Sequence, residues 1–217
     1  MKTLFKTVVG SHAWNMQRPD SDVDKFEGYI VPTKDILSGI LRQNSHFSSG
    51  KNRDESRHEI GVIIEQLLKG NFNFVVGVCS PIVNEDKYGY LKELRDIVER
   101  NLSKNIYHST RGLAIHNYNK YFVNNVNDKT ITEEELQKKT NLIVRSLMFG
   151  NLILSSSTIN FVEIRNQTTE DIVRWKELID ESYEKSKLPE TPDPREFREF
   201  LYKIRMVELE GKIIKRK

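Results

Sequence analysis

Residues 8–32 read VVGSHAWNMQRPDSDVDKFEGYIVP. A short apolar stretch ends in Gly10-Ser11, ten mixed residues follow, and a second apolar stretch is introduced by Asp22 and Asp24. Aspartate is disfavoured in strands. Two of them at i and i+2 place both carboxylates on one face of an extended chain, about 7 Å apart. Carboxylates so close repel each other unless a cation lies between them. Oxygen-only ligands suit Mg²⁺, which takes one or two carboxylates together with substrate phosphates. A pair of such ions can activate an attacking hydroxyl and stabilise a leaving phosphate. Asp20, just after Pro19, continues the alternation, but Asp-Ser there is also ordinary turn chemistry. Gly10 complements the acids: a glycine closing a strand leaves no Cβ between the backbone amides and a phosphate, and Ser11 adds a hydroxyl donor. The spacing predicts that the chain turns after Ser11 and re-enters the sheet alongside the first strand. Phosphate cradle and metal pair then share one edge of the sheet.

Working outward, residues 4–9 and 26–32 read as strands, the second ended by Pro32. Residues 44–56, NSHFSSGKNRDES, are polar and predict a loop or a short edge strand. Ile60, Ile63, Ile64, Leu67 and Leu68 recur at helical spacing up to Gly70. The run NFVVGVC at 73–79 has the length of a buried strand. Beyond it the character changes: helices are expected near 91–102, 110–123, 133–154, 169–187 and 195–209, the last two separated by the breaker run LPETPDP. The fold class is therefore α+β: a small mixed sheet with helices over residues 1–85, followed by a mainly helical part over 86–217 that packs on it.

The composition excludes several classes. The 217 residues balance 34 basic against 31 acidic side chains, so the net charge of +3 permits a nucleic-acid partner without arguing for one. Cys79 is the single cysteine, which rules out an internal disulfide and a cysteine-rich zinc site and fits a reducing, cytoplasmic setting. The opening MKTLFKTVVG is interrupted by Lys6 and reads as a strand rather than a signal peptide. No apolar run approaches membrane-spanning length, so no membrane partner is expected. The closing GKIIKRK reads as a solvated terminus. The five histidines show no His-x-x-x-His spacing, and no GxxxxGK[ST] phosphate loop is present. Tyr107, Tyr118 and Tyr121 interleave with basic residues, a pattern shared by base-stacking surfaces and by half-buried helices.

The stretch GSHAWNMQRPDSDVD resembles the signature of the DNA polymerase beta superfamily of nucleotidyltransferases: Gly-Ser, about ten residues, then Asp-x-Asp. The longer GSHAWNMQRPDSDVDKFEGYIVPT is similar to its RNA-repair-associated branch. EIGVIIEQLLKGN, FNFVVGVCSPIV and LIVRSLMFGNLIL resemble that branch too, so that the likeness covers most of residues 8–165. The resemblance implies a metal-dependent transferase that moves a nucleoside monophosphate from a nucleoside triphosphate to an acceptor hydroxyl and releases pyrophosphate. Gly10 and Ser11 would hold the phosphates, Asp22 and Asp24 would bind two Mg²⁺ (or Mn²⁺) ions, and a third carboxylate would act as base for the attacking hydroxyl. Asp54, in KNRDESRHEIG, aligns best with that third acid; Glu55 and Glu59 are alternatives, and His58 could assist. The implied acceptor is the 3′ end of RNA, with DNA, a protein or a small-molecule hydroxyl as alternatives, and an inactive nucleotide- or nucleic-acid-binding module as a further one. Arg111, Lys120 and Arg145 lie on helices that share the resemblance and are candidates for phosphate contacts, or for helix salt bridges. Two departures stand out: His12 replaces the arginine that commonly follows Gly-Ser, and Asn141 stands where the branch often has histidine.

Overall fold

The computed structural model describes residues 1–40, 44–50, 53–124 and 131–211. The basic run expected at 212–217 lies outside them. Five strands form one mixed sheet, β1 (Lys2–Val8), β2 (Lys25–Ile30), β3 (Ser45–Gly50), β4 (Arg53–Glu59) and β5 (Val83–Asp86), in the order β3-β4-β2-β1-β5. All neighbours are antiparallel except β2 and β4, which run parallel. Among the described residues the helices are α1 (Gly10–Ala13), α2 (Thr33–Leu37), α3 (Ile60–Leu68), α4 (Phe72–Cys79), α5 (Tyr90–Arg100), α6 (Asn105–Tyr118), α7 (Glu133–Ser156), α8 (Thr169–Lys185) and α9 (Pro194–Leu209). A π-helical turn, Asn119–Asn124, prolongs α6. The α+β class and the mixed sheet are as expected. The chain forms two compact units: residues 1–69, 73–101 and 193–217 make the first, and residues 70–72 and 102–192 the second.

In the first unit, one face of the sheet is apolar. The Phe5 ring lies over Gly28 and stacks on Phe26 at 6.4 Å. Phe26 in turn fills the space a side chain at Gly77 would need, and Thr7 Oγ1 donates to the Gly77 carbonyl at 2.6 Å. Gly77 is thus where α4 is drawn onto the sheet, each buried phenylalanine contributing about 1.5–3 kcal/mol. This corrects the reading of NFVVGVC, which is a helix and not a strand. A segment apolar on all sides has no period that separates a buried helix from a buried strand. The described residues of the polar segment 44–56 also take on regular structure: β3 is an edge strand, and β4 lies between it and β2. Short elements that no pattern announced, α2 and β5, complete the unit.

The other face of the sheet carries an alternating row of charge. Across the strands Glu85 lies beside Lys6, Lys6 beside Glu27, Glu27 beside Arg57, and Arg57 beside His46. Glu27, only 2% exposed, meets Lys6 at 3.1 Å and Arg57 at 3.1 Å, and accepts a hydrogen bond from Thr3 at 2.7 Å. The row clamps β4, which has few apolar residues of its own, to β2. At the far end of β4, Glu59 accepts from the Gly61 amide at the start of α3 and from Arg205 of α9 at 2.6 Å.

The second unit is helical. Both α7 and α8 begin with capping boxes, Thr132 with Glu135 and Thr168 with Asp171. Gly150 of α7 allows Thr110 of α6 and Ile179 of α8 to close on it, since a Cβ there would meet them at 2.4 and 2.8 Å. Among the described residues no helix is long and apolar enough to cross a membrane.

Candidate active site

The end of β1 fixes Gly10. The Val8 amide donates to the Ile82 carbonyl, the Ser80 hydroxyl donates to the Val8 carbonyl, and Ala13 and Trp14 are buried, anchoring α1. The Val9 amide bonds the Asp24 carbonyl at 2.9 Å, which carries the β1–β2 pairing one step past Lys25. Asp24 therefore sits at the mouth of β2, ahead of the strand rather than inside it. Its carboxylate lies against the Cα of Gly10: a Cβ on Gly10 would come within 2.0 Å of Asp24 Oδ2. Gly10 also has φ of 63°, a left-handed conformation that strains any other residue. Glycine is required here twice over, by the backbone and by the acid packed against it.

The parallel pairing of Lys25 with Glu55 carries Asp54 to the side of Asp24. Burial first, then the charges of Asp54 and Asp22, push the Asp24 carboxyl above the usual carboxylate range, against weaker help from His12 and a main-chain hydrogen bond from Asp54. Asp22 is exposed, yet its charge is felt at Asp24. Val9, Asp24, Lys25, Phe47, Ser48, Asp54, Glu55 and Ser56 line an open cleft of about 370 Å³. Asp24, with the charges of Asp54 and Asp22 acting on it, offers carboxylate oxygens of the kind that fit a hard divalent cation. As they stand, no three His, Cys, Asp or Glu side chains among the described residues are gathered closely enough to hold one.

The other sequence candidates divide. Glu55 lines the cleft and lies 3.9 Å from Lys6. Glu59 is fully buried and committed to Arg205 and to the cap of α3. His58 is enclosed by Phe74 at 4.5 Å and Phe26 at 4.9 Å, and its Nδ1 pairs with the Ser45 hydroxyl. Burial lowers its pKa to about 4, so it is neutral at physiological pH. His12 Nε2 is buried without a hydrogen-bond partner among the described residues. Arg111 is paired with Asp180 at 2.6 and 3.0 Å and stacked over Tyr107, whose hydroxyl donates to the same Asp180. Lys120 lies over the Tyr121 ring at 5.0 Å. Asn141 accepts from the Gln167 amide and from Gln137, tying α7 to the segment before α8. The sequence reading passed over Phe47, Ser48 and Ser56. Its one available signal was a lone aromatic in an otherwise polar run.

A family model described as the RNA repair pathway DNA polymerase beta family matches residues 1–203. The chain belongs to that family. Over 65 residues it is 38% identical to an uncharacterized 38.9 kDa protein in the nrdC-mobD intergenic region of Enterobacteria phage T4, a match spanning 28% of this chain and 19% of that protein. A nucleotidyltransferase-like protein from Exiguobacterium sibiricum 255-15, known from its crystal structure, is 12% identical, with a TM-score of 0.34 over 98% of this chain and 72% of that one. Neither relative adds a residue assignment to the acid cluster.

Proposed function

We propose that this member of the polymerase beta family is a metal-dependent nucleotidyltransferase. An acceptor hydroxyl attacks the α-phosphate of a nucleoside triphosphate, the bond to the β-phosphate oxygen breaks, and pyrophosphate leaves. The observation that carries this reading is the seating of Asp24: pressed against Gly10, beside Asp54, and raised in pKa by burial and by the charges of Asp54 and Asp22. Asp22 and Asp24 are the residues that would hold Mg²⁺ or Mn²⁺. Such ions supply neutralisation of the charge that develops on the leaving phosphate. Gly10 and Ser11 hold the phosphates, and Asp54 accepts the proton of the attacking hydroxyl. The RNA-repair name of the family favours the 3′ end of RNA as the acceptor.

The reading is tested by incubating the protein and Mg²⁺ with each labelled triphosphate and a panel of RNA, DNA and protein acceptors. Label on the 3′ end of RNA, dependent on the metal, is expected. In single turnovers Asp54→Asn lowers the rate strongly and triphosphate affinity mildly, because a base acts in the transition state. Transfer by an Asp22→Ala, Asp24→Ala double variant at the wild-type rate refutes the assignment of the acids. Loss of activity in Glu55→Gln with none in Asp54→Asn moves the base to Glu55.

A further inference from the structure

Phe47 is 77% exposed on the edge strand of the sheet, inside the cleft that holds Asp24 and Asp54. An apolar ring left in water on an edge strand invites unwanted pairing, and edges are usually blunted with charge instead. Its packing role is slight: the ring makes an edge-on contact with His58 at a centroid distance of 5.5 Å and leaves most of its surface bare. Its position is set by register. Phe47 pairs with Ser56, and Ser49 pairs with Asp54, so Phe47 and Asp54 are diagonal neighbours on the same sheet face, about 7–8 Å apart. That is a span comparable to the ribose that separates a nucleobase from its α-phosphate.

The rest of the cleft decides what could cover the ring. Its lining is polar, with Lys25, Ser48, Glu55 and Ser56 around Phe47 and the two aspartates. A wholly apolar partner would strip water from these groups without replacing their hydrogen bonds. A nucleobase has a flat face for the phenyl ring and a polar edge for the Ser56 hydroxyl. Ser56 Oγ already donates to the Lys25 carbonyl at 3.3 Å and keeps lone pairs to accept from a base. Building on the transferase reading above, we infer that Phe47, with Ser56 on the same sheet face, forms the subsite for the base of the incoming nucleoside triphosphate. Stacking on one phenyl face is tolerant of base identity.

The test titrates a non-hydrolysable ATP analogue and inorganic tripolyphosphate, each with Mg²⁺, into wild type, Phe47→Ala and Phe47→Trp. The exposed position leaves folding intact, checked by thermal melting. Phe47→Ala is expected to weaken the analogue by about fivefold or more, the loss of one stacked base, while tripolyphosphate binding stays unchanged and Phe47→Trp keeps the wild-type affinity. Unchanged affinity for the analogue in Phe47→Ala, or an equal loss for both ligands, overturns the subsite and leaves the transferase reading standing. Wild-type protein that binds neither ligand overturns both.

Discussion

Asp24 and Glu27 lie three positions apart on one segment, and both carboxylates are drawn toward the interior. Burial acts on Glu27 to raise its pKa, but hydrogen bonds from Thr3, Arg57 and Lys6 prevail and hold it below the usual range. Asp24 has no such set of partners; burial, Asp54 and Asp22 all raise it. The first acid is complete within the fold and locks β1, β2 and β4 together. The second lies among acids whose repulsion outweighs the help of His12 and of a main-chain hydrogen bond, and a divalent cation would relieve it. Glu59, held by Arg205, belongs with Glu27. A carboxylate's neighbours, more than its burial, thus separate the structural acids of this sheet from those suited to chemistry.

The comparison breaks most sharply at Asp24. Asp24→Asn should lower nucleotide transfer on the order of 10²–10³-fold, the scale for losing a preorganised electrostatic group. Its melting temperature without metal should stay level or rise, because a repulsive charge is gone. Added Mg²⁺ should raise the melting temperature of wild type but not of the variant. A variant that melts well below wild type would place Asp24 with Glu27.

Glu59→Ala should do the opposite. It leaves Arg205, 11% exposed, as an uncompensated charge and removes the cap of α3. Loss of about 3–5 kcal/mol is expected, read as a lower urea midpoint at an unchanged m-value. Activity per folded molecule should persist, which separates this acid from Asp54.

His58 gives a smaller, graded effect. Its folded pKa of about 4 lies below the value of 6.5 expected when unfolded, so between those values the unfolded chain binds more protons. Stability should therefore be full above pH 6.5 and fall as the pH drops toward 4, by at most about 3 kcal/mol at 1.36 kcal/mol per pH unit. Replacing His58 with leucine should flatten the slope of unfolding free energy over that window. An unaltered slope would mean that other groups carry it.

The return of β2 beside β1, which brings Asp24 to Gly10, was legible because it is local. Residues 8–32 contain the strand end, the turn and the acids, and the spacing alone returns β2 beside β1. The amphipathic helices α3, α5, α7, α8 and α9 were legible from their period. Asp54 could be aligned but not seated, since β4 lacks the apolar pattern of an interior strand. Its place depends on the parallel pairing with β2 and on Glu27 gripping Arg57. For the same reason Glu59, an alternative to Asp54 on sequence, is a buried ion-pair partner, and nothing along the chain marks the place of Phe47 in the cleft.

By itself the sequence determined which groups stand at the mouth of the sheet: a glycine and an aspartate that short-range backbone geometry brings into contact, with a serine and a second aspartate close by in the chain. Only the tertiary structure decided that Asp54 lies beside Asp24 while Glu59 is paired with Arg205. A carboxylate's role follows from which distant strand or helix brings it a cation, a hydrogen bond or another carboxylate. Those partners are chosen by strand register and packing, not by neighbours along the chain.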